Sequence, residues 1–156
     1  MVEDEESRRC LETDLAAILT SDVLAHLPPT LQLDKDGGGI PSWVDARARE
    51  GDVLLLLMRE SNHLVGLMIL ASASDADDIP TVHIGYLLAT STWGQGIATE
   101  LVEGFVAGME RYRPVRLIGG VDQENLASAR VLEKAGFMID PDLSHGGVEM
   151  YVRTLD

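Results

Sequence analysis

Gly94 and Gly96 stand two positions apart, between the apolar run Val82-His83-Ile84-Gly85-Tyr86-Leu87-Leu88 and a helical pattern that continues to about Arg111. The run reads as a strand. A glycine-rich turn that opens a helix leaves first-turn N–H groups without intrahelical acceptors. Together with the positive end of the helix dipole, those donors form an anion site, and phosphate or diphosphate is its natural guest. Glycine also permits the positive φ angles and close approach that such a turn can need. A second constellation follows at Asn125, Ser128 and Leu132. Spacings of three and four put these residues on one face of a short helix. Two polar groups and one apolar group there suit an amide-bearing, partly apolar ligand arm. An N-cap at Asn125 and a small packing residue at Ser128 are the structural alternatives.

Three nucleotide-type readings compete for the turn. A P-loop ends in Gly-Lys-Ser/Thr, and Gly96-Ile97-Ala98 does not match it. A dinucleotide fingerprint needs a third Gly or Ala three positions after the second, where Thr99 stands, although Asp122 could imitate its ribose-binding acid. The third reading is a loop that holds the diphosphate of an acyl-CoA.

The elements around the turn decide among these. The 156 residues predict one domain, with 11–50 as helices and loop on the acceptor side, 52–137 as a cofactor-binding core, and 138–156 as terminal strands. Helical spacing of Leu11, Leu15, Ile18, Leu19 and Val23 predicts a helix over 12–27, ended by Pro28-Pro29. A strand over residues 6–10 is neither indicated nor excluded. Gly37-Gly38-Gly39 marks the tip of a loop over 31–41, read as a linker or a substrate lid. Ser42 is the expected N-cap of a helix through Ala48. The run Val53-Leu54-Leu55-Leu56-Leu57-Met58 reads as a buried strand and forms a hairpin with 64–73. Asp75-Ala76-Asp77-Asp78 reads as a solvated acidic loop. Residues 81–89 complete an antiparallel meander. A helix with Ile97, Leu101, Phe105 and Met109 at four-residue steps then leads to a strand over 115–121, parallel to the one before it. A helix over 126–134 capped by Gly136 follows. Two last strands, 137–139 and 148–154, are separated by a loop with Pro141 and Gly146-Gly147. The class is therefore α/β (α+β): a mixed sheet of about six or seven strands, a meander followed by a β-α-β crossover, and helices on both faces.

Charge and composition narrow the partners. A net charge of −14 argues against nucleic acid, which requires clustered Lys and Arg. It favours cationic ligands such as amines and also serves solubility. An anionic cofactor must then be held by local main-chain dipoles. No apolar stretch is of membrane-spanning length, and the acidic start lacks a signal-peptide pattern. One cysteine, Cys10, allows no intrachain disulfide. A cytoplasmic protein fits these facts, and nothing excludes a homodimer. His26, His63 and His145 lack metal-ligand spacing, so no metal is expected.

Three segments carry a family resemblance: Ile84-Gly85-Tyr86-Leu87-Leu88, Trp93-Gly94-Gln95-Gly96-Ile97-Ala98-Thr99-Glu100, and 125–137 from Asn125-Leu126-Ala127-Ser128 to Ala135-Gly136-Phe137. They resemble GNAT N-acetyltransferases, more narrowly the branch containing ribosomal-protein N-terminal acetyltransferases. The resemblance covers about residues 50–155 by element order, with its sharp motifs in 83–137. It implies acetyl-CoA as donor and a primary amine as acceptor, either a protein N-terminus or a small cationic amine. It implies that Gln95, Gly96, Ile97, Ala98 and Thr99 hold the CoA diphosphate through N–H groups. It further implies that the pantetheine arm pairs with the backbone near Leu87, Leu88 and Ala89. Asn125 would bond that arm, and Ser128 would lie near the thioester sulfur.

Departures from the pattern matter for the chemistry. Where many members carry a Tyr general acid, Leu132 stands, so protonation falls to Ser128, Tyr151 or water. Where the narrower branch often has Glu, His83 stands as the replacement base. The base is drawn from His83, Glu149 and Asp122, in that order, each of which also has an ordinary structural reading. Arg130 and Lys134 are the candidate cations for the CoA 3′-phosphate. The rival functions are a CoA-binding module without turnover and, behind it, a dinucleotide-binding domain.

Overall fold

The computed structural model describes residues 5–27, 31–34, 36–74 and 77–156. Among the described residues, five α-helices and six strands follow in the order α1 (Glu5–Ile18), α2 (Ser21–Leu24), α3 (Gly39–Glu50), β1 (Asp52–Leu57), β2 (Leu64–Ser74), β3 (Pro80–Leu88), α4 (Ile97–Met109), β4 (Val115–Asp122), α5 (Leu126–Lys134), β5 (Met138–His145) and β6 (Val148–Leu155). The strands form an open mixed sheet in the order β1-β2-β3-β4-β6-β5. β3 and β4 pair in parallel from Thr81↔Arg116 to Ile84↔Gly119, and both strands run on past that register. β4 pairs antiparallel with β6 along its whole length. The predicted crossover and the strand count both hold.

The described residues fall into two compact units. The first contains α1 to α3, β1, β2 through Ile69, and Tyr86–Thr92. Its core gathers Leu15, Ile18, Leu19 and Val23 with Trp43, Leu67 and Leu87. Trp43 donates its indole N–H to the Leu31 carbonyl at 2.9 Å. Arg47 is buried beside it, 5.3 Å from the ring centroid, and donates to Glu50 at 2.6 Å. A buried guanidinium is tolerable because the carboxylate and the ring face both compensate it.

The second unit contains Leu70–Gly85 and Trp93–Asp156. α4 and α5 pack together. The core here includes Val102, Val106, Leu117, Val121, Leu132 and Phe137. In α4, Val102 and Val106 are the fully buried pair, and the adjoining apolar row of Leu101, Phe105 and Met109 is half-buried. Both rows are apolar, and only packing chooses between them.

One open question is answered and three local expectations need correction. Residues 6–10 lie in α1, supported by Arg8–Glu12 and Arg9–Glu5 pairs at helical spacing. The predicted helix over 12–27 is broken at Leu19 and Thr20, with α2 following, because apolar spacing reports the buried face and not the continuity of the backbone. Pro28 and Pro29 lie outside the described residues. α3 starts at Gly39, not after Ser42, with Gly38 as its N-cap at φ 105°. β1 is an edge strand, and Leu54, Leu55 and Leu57 are 44 to 49% exposed. A continuous apolar run does not distinguish a strand buried on both faces from one at the rim. In addition, β5 continues through Pro141 with an irregularity between Asp140 and His145. An edge strand can accept Pro because one side of its backbone needs no partner.

Of the acidic loop, Asp77 and Asp78 are described, and Asp77 pairs with Arg116. That hydrogen-bonded guanidinium holds the Asp77 carboxyl below its usual range.

Candidate active site

The turn after β3 is built as its composition requires. Gly94 and Gly96 sit at φ 73° and 77°, a region that L side chains rarely adopt. No atom lies within 4 Å of a Cβ placed on either, so backbone angle and not crowding demands glycine. Gly96 is the N-cap of α4 and has no side chain to satisfy the helix start. The first amide of the helix to find an acceptor is that of Glu100, which donates to the Gly96 carbonyl at 3.0 Å. Among the described residues the amides of Gly96, Ile97, Ala98 and Thr99 carry no acceptor. Gly96 is exposed and the next three are half-buried. Gln95, included in the expected set, is engaged within the protein. The unused donors therefore run from Gly96 to Thr99 at the positive end of a 13-residue helix.

The start of α5 matches the second constellation. Asn125 caps it: its Oδ1 accepts from the Ser128 N–H at 3.2 Å. Its side-chain amide donors have no partner among the described residues, so capping leaves them available. Ser128 is half-buried, with its hydroxyl unpaired among the described residues. Leu132 is 1% exposed and packs toward Gly119, where a Cβ would meet it at 3.2 Å. The shared face thus runs from an open polar end to a buried apolar one. Arg130 is exposed, and two residues beyond Ser128 it points about 200° round the helix, away from that face.

The register separates the candidate bases. His83 lies opposite Ile118, which lies opposite Val152. Ile84 lies opposite Gly119, which lies opposite Tyr151, and Glu149 shares the Tyr151 side by strand alternation. His83 and Glu149 therefore occupy opposite faces of the sheet and are not brought together. His83 is exposed. Glu149 is half-buried, and its Oε2 accepts from the Tyr151 hydroxyl at 3.3 Å. Burial, and after it the carboxylates of Glu149 and Glu133, push the Tyr151 hydroxyl above its ordinary value, so it stays protonated as a donor. Glu133 comes from α5, and no local spacing in the sequence links it to Tyr151. Asp122 accepts from the Glu124 N–H at 2.8 Å and serves the turn into α5.

In the first unit, Leu87 and Leu88 are buried. Ala89 donates its N–H to the Val65 carbonyl at 2.8 Å, and its own carbonyl accepts from both the amide and the hydroxyl of Thr92. Ala89 has no free main-chain group left to offer a ligand. No group of His, Cys, Asp and Glu among the described residues is arranged to hold a metal ion. No described helix is long and apolar enough to cross a membrane. A hollow of ≈ 410 Å³ on α4 and α5 is lined in part by Glu103, Glu110, Lys134 and Arg153. Lys134 thus lies at the last turn of α5, away from the cap at Asn125.

A parallel β-α-β unit whose turn presents bare amides is an α/β arrangement suited to an anionic group at a helix start. The chain belongs to the GNAT acetyltransferase family: the model of the acetyltransferase (GNAT) domain matches residues 8–138. It is an acyltransferase of that family. No curated protein matches its sequence. Among solved structures it is similar to a GNAT-family acetyltransferase from Bacillus anthracis, with TM-score 0.70, 18% identity, and 92% of this chain and 90% of that one covered. It is similar to RimL, a ribosomal L7/L12 alpha-N-protein acetyltransferase in complex with coenzyme A, with TM-score 0.69, 20% identity, and 99% and 92% covered. A third is yncA from Salmonella typhimurium with its cofactor acetyl-CoA, with TM-score 0.63, 17% identity, and 93% and 90% covered. At these identities the likeness is one of fold.

Proposed function

We propose that this protein transfers an acetyl group from acetyl-CoA to a primary amine by direct attack in a ternary complex. The observation that carries the reading is the row of unused amides from Gly96 to Thr99 at the open start of α4. In a chain of net charge −14, a coenzyme diphosphate needs such fixed local dipoles. The free amide donors of Asn125 suit a carbonyl of the pantetheine arm, and the Ser128 hydroxyl suits the sulfur end of it. Leu87 and Leu88 enter through the family resemblance alone.

The chemistry asks little of the side chains. The amine nitrogen attacks the thioester carbonyl carbon, a C–N bond forms, the C–S bond breaks, and the coenzyme leaves as thiolate that takes up a proton. Holding both reactants in line contributes on the order of 7 kcal/mol or more. His83, exposed on the face of the sheet opposite Glu149, is the preferred base for the ammonium proton because an imidazole is the usual general base near neutral pH. The ribosomal-protein relative favours a protein N-terminus as acceptor, and the acidic balance accommodates a small cationic amine as well.

Release of CoA thiol from acetyl-CoA tests this across a panel of peptide N-termini, polyamines and amino acids. Release with at least one amine is expected. Acetyl-CoA binding with no release on any amine would make the protein a coenzyme-binding module. Thermal stabilisation by NAD and not by CoA would overturn the reading altogether.

A further inference from the structure

In the first unit, α1 and the edge strand β1 border a groove of ≈ 590 Å³. Leu11, Leu55, Leu57 and Leu64 supply its apolar surface, with Leu55 47% and Leu57 49% exposed. Glu6, Cys10 and Asp14 line it from one stripe of α1, each four residues from the next. The two carboxylates differ from their neighbours. Glu5 and Glu12 are paired with Arg9 and Arg8, whereas Glu6 and Asp14 have no ion-pair partner among the described residues. Eight helical residues set these two acids about 12 Å apart. On an extended chain, side chains i and i+4 lie on the same face about 13 Å apart, with i+2 between them.

We infer that this groove docks an extended segment of a partner protein that carries basic residues at i and i+4 and an apolar residue at i+2. The basic groups meet Glu6 and Asp14, and the apolar side chain covers Leu55 and Leu57. A sheet edge is also a natural border for an extended chain. A second copy is the poorer occupant, since each carries a net charge of −14 and brings the same acids to the contact. The inference rests on the first unit and is independent of acetyl transfer.

An amide NMR titration of the full chain with Ac-Arg-Thr-Leu-Thr-Arg-NH2 tests it, because this probe has no primary amine to acetylate. Saturable shifts are expected at Ser7, Cys10, Leu55 and Leu57, together with slower maleimide labelling of Cys10, the single cysteine. The double variant Glu6→Gln, Asp14→Asn should bind about tenfold more weakly. Leu55→Ser, at an exposed position, should also weaken binding with no loss of fold. Three results would each overturn the inference: shifts that do not saturate or lie elsewhere, equal binding of the Glu-for-Arg peptide, or unchanged affinity in the double variant. A dimer in sedimentation that shields Cys10 without peptide would assign the groove to a second copy and likewise overturn it.

Discussion

Two glycine-rich turns open helices in this protein, and they solve the same problem in opposite ways. Gly38 caps α3 at φ 105° and Gly96 caps α4 at φ 77°, and neither cap has a side chain to offer. Before α3 the chain places an internal carboxylate on the loop just ahead of the cap. Asp34 Oδ1 accepts from the amides of Asp36 and Gly37 at 3.0 and 2.9 Å, and its carbonyl accepts from Gly39. Pro41, within the first turn, removes another donor. Before α4 no internal carboxylate arrives, and four consecutive amides stay unused among the described residues. Glycine at a helix start is therefore no ligand site by itself. What marks the second turn is its run of four amides with no internal acceptor among the described residues, and this is why the diphosphate is proposed there and not at Gly38.

The largest effect should come from making the second turn resemble the first. Thr99→Asp places a carboxylate beside the free amides, where it repels a diphosphate. Acetyl-CoA affinity by calorimetry should fall about a hundredfold, while the melting temperature holds or rises because an acid complements the helix start. Unchanged affinity would show that the coenzyme does not use this turn. Gly96→Val is next: a β-branched residue at φ 77° is strained, so the turn shifts. Affinity should drop about tenfold, with the unfolding free energy reduced by about 1–2 kcal/mol.

Asn125 sharpens the comparison at the start of α5, where one side chain caps the helix and keeps donors free. Asn125→Asp retains the cap acceptor and loses the donors. It should raise the KM for acetyl-CoA severalfold at unchanged stability, whereas Asn125→Ala should also lose about 1 kcal/mol in urea unfolding. If the two variants share one KM and one stability, the side chain has a single role. The smallest effect is expected at the first turn itself. Asp34→Ala should cost about 1 kcal/mol of stability and leave acetyl-CoA affinity alone. A loss of affinity there would erase the distinction between the turns.

Much of this was legible in residue order. The bounds of α5 came directly from Asn125 before it and Gly136 after it, since a cap and a left-handed stop are local chemistry. The parallel crossover followed from strand, turn and helix in sequence. Where non-local geometry decides, residue order was silent. The exposure of β1 depends on its being last in the sheet. The opposition of His83 and Glu149 depends on a register that three strands set together. The Tyr151–Glu149 contact is two residues apart on one strand and was open to inspection, but the burial that keeps Tyr151 protonated was not. Ala89 was expected to pair with the coenzyme arm, yet Val65 and Thr92 consume its main-chain groups, a fact no single segment reveals.

The most direct measurement follows the backbone amides of Gly96, Ile97, Ala98 and Thr99 by NMR as acetyl-CoA and, separately, pantetheine are added. These four should shift strongly and together with acetyl-CoA and stay still with pantetheine, which lacks the diphosphate. Saturation by acetyl-CoA with those four resonances unmoved would place the coenzyme elsewhere and contradict the account.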